Sequence, residues 1–184
     1  MNLQKMFKKN DELYTPKILV EPIIQYIPKD FVVWCPFDTE TSEFVLCLKE
    51  KGYKVIYSHI WQGQDFFNYE PEEYDCIISN PPFSIKLQVF DRLFKLNKPF
   101  AILMNATAEQ YQVVGNFFYN KQQEGKHIQR LVPDKKVSFN GSTSSFNTCY
   151  FCYNLLPRDN MYCHLENNNS GKYFIPSRMK GVDK

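Results

Sequence analysis

Residues 74–83 read Tyr74-Asp75-Cys76-Ile77-Ile78-Ser79-Asn80-Pro81-Pro82-Phe83. The apolar part has the length and β-branching of a buried strand. Asn80-Pro81-Pro82 ends it abruptly, because each proline fixes φ near about −65° and removes a backbone donor. The segments on either side alternate in type. Upstream, Pro16 to Tyr26 carries Ile18, Leu19, Ile23 and Tyr26 at helical spacing, with Pro22 an awkward interior residue. Residues 31–35 predict a strand, 42–51 a helix stopped by Gly52, and 54–58 a second strand. Downstream, 85–95 predicts a helix, 99–104 a strand and 108–120 a helix. From residue 128 the pattern is β-rich, over 128–132, 136–139 and 148–155. Alternating helices and apolar strands predict an α/β fold: a mostly parallel sheet with helices on both faces. The β-rich end predicts an antiparallel C-terminal hairpin at one edge. The expected organisation is a single domain over 1–156 and a polar extension over 157–184, partly disordered.

The 184 residues are 43% hydrophobic and 23% charged, with 16 Phe, 12 Tyr and 2 Trp. These are globular values, and a chain of this length buries about 70% of its unfolded surface. No apolar run reaches the roughly 18–20 residues of a membrane span, and residues 1–10 lack the apolar core of a secretory signal. A cytoplasmic protein is expected, with its six cysteines as thiols. The net charge of +2 is unevenly spread. Residues 1–119 hold 12 basic and 15 acidic side chains, whereas 120–184 hold 10 and 5. The basic end suits a polyanion weakly.

In doubly wound sheets, ligands bind beyond the carboxyl ends of the strands. The strand at 74–79 delivers an amide to that end, on a backbone stiffened by Pro81 and Pro82. The Asn80 oxygen and the Pro81 carbonyl can both accept from one NH₂ group and stabilise positive charge developing on its nitrogen. Phe83 can stack on the ring that carries the amine. Such a site works by positioning and needs neither a metal nor a covalent nucleophile.

Asn80-Pro81-Pro82-Phe83 after an apolar strand resembles the catalytic motif of the S-adenosylmethionine-dependent amino-methyltransferases, which methylate adenine or cytosine amines or a glutamine amide. Tyr14-Thr15-Pro16 before the first helix resembles the motif that lies against the methionine end of the cofactor in adenine methyltransferases. There Thr15 can cap the helix and Pro16 can occupy its first position. The order of these motifs, with Pro36-Phe37-Asp38 and Asp65-Phe66 between them, is similar to that of small adenine methyltransferases common in phages and prophages, over roughly residues 11–156. The resemblance implies a Rossmann-like methyltransferase fold, S-adenosylmethionine as cofactor and the exocyclic amine of adenine in DNA as acceptor. It places Asn80, Pro81, Pro82 and Phe83 in catalysis. It places Tyr14, Thr15, Pro16, Pro36, Phe37, Asp38, Ser58, Asp65 and Phe66 around the cofactor.

Two departures from that pattern stand out. The loop after the first strand runs Cys35-Pro36-Phe37-Asp38-Thr39-Glu40-Thr41-Ser42 and holds no glycine, so Asp38 is expected to take the cofactor's amino group. The second strand ends Tyr57-Ser58-His59, without the acid that would bind the ribose, which leaves Ser58 or His59 for that contact. Asp65 is expected to accept from the cofactor's adenine amine, with Phe66 packed on the ring.

An adenine inside a duplex cannot reach Asn80, so the base must be flipped or unpaired. The substrate side is expected at Lys135 and Lys136 and in the loop containing Asn140 and Ser142. That leaves no separate recognition domain, and implies low sequence specificity or a protein partner that supplies it. RNA adenine or a protein glutamine is an alternative acceptor. A catalytically inactive methyltransferase fold that binds or inhibits a host factor is the alternative outside enzymology, motivated by the two departures. No metal is expected. Cys149 and Cys152 would point to opposite faces of a strand, and adjacent Cys163-His164 is a poor chelating pair.

Overall fold

The computed structural model describes residues 15–139 and 145–166. Nine strands are present among them: β1 Val32–Cys35, β2 Lys54–Tyr57, β3 Cys76–Ser79, β4 Phe100–Asn105, β5 Gln129–Pro133, β6 Val137–Ser138, β7 Ser145–Phe146, β8 Thr148–Tyr153 and β9 Asn160–Cys163. Four α-helices accompany them: α1 Lys17–Ile24, α2 Glu43–Glu50, α3 Lys86–Leu96 and α4 Gln112–Gln123. Seven strands form one sheet in the order β2-β1-β3-β4-β8-β5-β9, and β6 and β7 pair separately.

Residue alternation explains the layering. In the strands, Val33, Cys35, Cys76, Ile78, Ala101, Leu103, Tyr150 and Cys152 face one core with α1 and α2. Trp34, Ile77, Phe100, Ile102, Met104, Cys149, Phe151 and Tyr153 face the other, with α3 and α4. Side chains of period two therefore fill both layers, and β3 and β8 are buried along their whole length. Cys149 and Cys152 lie in different cores, as the alternation requires.

Strands β2, β1, β3 and β4 are parallel. The β-rich end adds an antiparallel pair beside β4, the edge of the parallel strands, with β8 lying between β4 and β5. The two core layers bury the apolar β8 on both faces. The sheet also continues past residue 156. Strand β9 pairs in parallel with β5, and Leu165 is fully buried. The first ten residues of the expected extension thus include a strand of the sheet, and residues 167–184 lie outside the described residues.

Local signals explain the ends of elements. Gly52 adopts φ +83° after α2, while Tyr53 N–H bonds to Leu48 and Gly52 N–H to Lys49. That is the paired Schellman ending. Asp75 accepts from Val32 N–H at 2.7 Å and its own N–H bonds back to Val32, tying the start of β3 to β1. The order of elements sets the site. The carboxyl ends of β1, β3 and β4 lie side by side, and β5 runs in the same direction because it is antiparallel to β8.

Candidate active site

Asn80 follows Ser79, the last residue of β3, at the centre of this carboxyl edge. Pro81 is buried and Pro82 holds φ −55°, ψ 130°. A single 3₁₀ turn over Phe83–Ile85 leads directly into α3. Proline geometry thus fixes the path between the strand and the helix, and with it the Asn80 side chain and the Pro81 carbonyl.

Thr15 sits opposite. Its hydroxyl accepts from the Asn80 amide nitrogen at 3.0 Å. Spending the nitrogen end on Thr15 determines which end of the amide presents oxygen. Thr15 does not cap α1. Pro16 occupies the N-cap position without a side-chain cap bond, and its carbonyl accepts from Leu19 N–H. The hydroxyl reaches across the site because β3 and the start of α1 end at the same edge, 65 residues apart in sequence.

The loop after β1 turns without glycine. The Ser42 hydroxyl accepts from Thr39 N–H at 2.9 Å, and Ser42 N–H bonds back to the Thr39 carbonyl. This closed turn leads into α2. It buries Pro36 and leaves Phe37 half-buried. Asp38 is 7% exposed, and Ser79 Oγ donates to its carboxylate at 2.5 Å. Burial pushes the Asp38 carboxyl up to about 6, against the opposing effect of bonds from Ser79 and Ser42. A buried carboxyl held in this way is poised to receive a cation.

Other expected contacts are engaged elsewhere. Ser58 is fully buried and accepts from Trp34 Nε1 at 2.9 Å. The indole needs a partner in the core, and the Ser58 hydroxyl supplies it. His59 Nδ1 accepts from Trp61 N–H, and burial lowers its pKa. The Asp65 carboxylate accepts from Phe67 N–H at 3.0 Å and from the Asn68 amide at 3.1 Å, which organises its own turn. Phe66 is 2% exposed, enclosed by Trp34 and Phe37 with ring centroids 5.6 and 4.9 Å away. It is a wall of the core, and Phe67 beside it is half-buried.

On the other side of Asn80, Phe83, Lys86, Met104, Asn105, Ala108 and Tyr111 line a cleft of about 120 Å³. Of these, Phe83 belongs to the Asn80-Pro81-Pro82-Phe83 motif. Lys86 reads as an ordinary helix-surface lysine, and Tyr111 as a helix residue, until β4 is placed beside β3. Lys135 and Lys136 follow β5, and Asn147 bonds to Ala106 N–H just beyond β4. This brings the basic hairpin region to the same edge. Lys135 donates to the Leu165 carbonyl at 2.5 Å, while Lys136 is exposed. Tyr14, Asn140 and Ser142 lie outside the described residues. Among the described residues, no group of three His, Cys, Asp or Glu side chains is placed to hold a metal. No helix among them is long and apolar enough to cross a membrane.

No family model matches the chain. It is 29% identical over 131 residues to the type II methyltransferase M.EcoRI of Escherichia coli, covering 58% of this chain and 40% of that protein. The chain therefore spans well under half the length of this relative. Its fold matches the methyltransferase subunit of a type I restriction-modification system from Streptococcus thermophilus, with a TM-score of 0.57 and 12% identity over 83% of this chain and 47% of that one. It also matches a putative class I S-adenosylmethionine-dependent methyltransferase from Listeria monocytogenes, with a TM-score of 0.54 and 10% identity over 89% and 69% of the two chains. The chain has the Rossmann-like methyltransferase fold and is a sequence relative of a type II methyltransferase.

Proposed function

We propose that this chain is an S-adenosylmethionine-dependent methyltransferase acting on the exocyclic amine of adenine in DNA. The observation that carries the reading is Asn80-Pro81-Pro82-Phe83 at the carboxyl end of the central β3, with the Asn80 amide oriented by Thr15. Similarity to a type II methyltransferase supports DNA as the acceptor.

The residues at the edge fit the cofactor. The buried Asp38 carboxyl would take its amino group, with Phe37 and the start of α1 at Thr15 and Pro16 beside it. Bound S-adenosylmethionine would supply an activated methyl group. The Asn80 oxygen and the Pro81 carbonyl would hold the acceptor amine and stabilise charge on its nitrogen. Phe83 would position the ring. On receiving that methyl group, with the cofactor's sulfur as the leaving group, the acceptor nitrogen would lose a proton to solvent. With no general base required, placement supplies most of the rate.

The test is transfer of labelled methyl into unmethylated DNA, with Asn80→Ala as control and RNA and protein fractions counted alongside. Label in DNA that depends on Asn80 supports the reading, while label confined to RNA or to protein glutamine moves the acceptor class. A second reading, an inactive methyltransferase fold that binds a partner, is favoured by the internal engagement of Ser58 and Asp65. Calorimetry with S-adenosylmethionine separates the two, because micromolar binding argues against a silent fold.

A further inference from the structure

The cleft beside Asn80 has a graded lining. Met104 at its base is fully buried, Phe83 is half-buried, and Tyr111 at its mouth is 57% exposed. Lys86 connects the two aromatic residues. Its ammonium lies 4.1 Å from the Tyr111 ring centre and donates to the Phe83 carbonyl at 3.4 Å. Lys86 is also the first residue of α3, where a positive charge opposes the helix dipole. An exposed tyrosine contributes little to the core. A cation and an open aromatic face at one mouth are instead the two elements that bind single-stranded nucleic acid.

We propose that Lys86 and Tyr111 form a docking pair for the nucleotide next to the methylated one in an unpaired strand, Lys86 taking the phosphate and Tyr111 the base. This rests on the proposed function and names its substrate as a polynucleotide strand entering base-first. With the acceptor base against Phe83, the strand leaves the cleft across Tyr111. The ammonium then exchanges the Tyr111 face and the Phe83 carbonyl for a phosphate, which frees the ring for stacking. A protein glutamine would use neither element.

The experiment is fluorescence anisotropy of a labelled single-stranded oligodeoxynucleotide, titrated with wild-type protein and variants at two salt concentrations. Tyr111→Ala should weaken binding about tenfold, the loss of one stacked base, and Tyr111→Phe should retain affinity. Lys86→Gln should reduce the salt dependence by about one phosphate contact, and Lys86→Arg should restore it. Circular dichroism checks that each variant is folded. Wild-type protein that fails to bind the strand, Tyr111→Ala that binds like wild type, Tyr111→Phe as weak as Tyr111→Ala, or an unchanged salt slope in Lys86→Gln overturns the proposal. Methyl transfer to DNA distinguishes the two readings. Transfer with unaffected variants overturns the docking pair alone, whereas strand binding through Lys86 and Tyr111 without transfer overturns the methyltransferase activity alone.

Discussion

Ser79 donates its hydroxyl to the Asp38 carboxylate across 2.5 Å, joining the strand that carries Asn80 to the loop after β1. Two neighbouring parallel strands therefore share one buried polar contact at the edge where Asn80-Pro81-Pro82-Phe83 emerges. The carboxyl is costly to ionise in this position, and that cost makes it measurable.

The first prediction concerns stability. Asp38 has its pKa raised by burial to about 6, from an ordinary value near 3.8. A raised carboxyl favours folding most below pH 4, and that contribution is lost as pH rises through 6. Asp38→Asn removes the ionisation penalty while keeping the volume and an acceptor for Ser79. The variant should gain on the order of 3 kcal/mol over wild type at pH 8 and nothing at pH 4. Urea unfolding across this range measures it, and a constant difference would mean that Asp38 does not titrate in this window.

The second prediction links the same group to the cofactor. A cationic amine on Asp38 would lower its pKa, so binding would be linked to loss of a proton. Affinity for S-adenosylmethionine should fall by up to about tenfold per unit below pH 6 and level off above it. Calorimetry between pH 5 and 7 should show this slope in wild type and none in Asp38→Asn. Equal slopes in the two proteins would remove Asp38 from the cofactor site.

The third prediction concerns the Asn80 amide. Thr15→Val keeps the shape but removes the acceptor of the Asn80 N–H. We expect kcat to drop about tenfold, with cofactor affinity within about twofold of wild type and Thr15→Ser restoring the rate. A loss of cofactor binding without a change in kcat would instead assign Thr15 to the cofactor alone.

What could be read along the chain was whatever depended on local pattern. Apolar runs such as Cys76–Ile78 and Phe100–Met104 announced buried strands because alternate residues face two cores. Asn80-Pro81-Pro82-Phe83 is legible because an amide, two prolines and an aromatic ring directly after an apolar strand form a local pattern. Strand β9 was missed because an exposed edge needs little apolar pattern, and only Cys163 in it is buried. The partner of Ser58 is hidden for the opposite reason. A serine after a strand reads as exposed, and nothing nearby signals that Trp34, 24 residues away, donates to its hydroxyl. Lys86 and Tyr111 meet only because β3 and β4 are neighbours, a relation that no local pattern states.

The fourth prediction concerns the Ser58 hydroxyl. Ser58→Ala leaves the fully buried Trp34 N–H without its acceptor, and should destabilise the protein by about 1–3 kcal/mol. Because Ser58 is fully buried, affinity for S-adenosylmethionine should stay within about twofold. Chemical denaturation and calorimetry on the same preparation separate the effects. A large loss of affinity without a loss of stability would return Ser58 to the ribose.

The fifth prediction concerns the turn that carries Tyr111. Arg130 on β5 donates from Nε to the Glu109 carboxylate at 2.9 Å, with a second bond from the same guanidinium. Both side chains are about one-third exposed, so the pair is only partly screened. It anchors the turn from Ala108 to Tyr111 to a strand two places away from β4. Gly115 lets α4 approach this turn, since a Cβ there would meet the Glu109 carbonyl at 3.0 Å. Arg130→Gln should cost roughly 1–2 kcal/mol of stability and raise KM for the nucleic acid severalfold with kcat nearly unchanged, because Tyr111 shifts while Asn80 does not. Gly115→Ala, pressing on the same turn from the other side, should shift KM in the same direction. If kcat falls and KM stays constant in both, the turn supports Asn80 and not the mouth of the cleft.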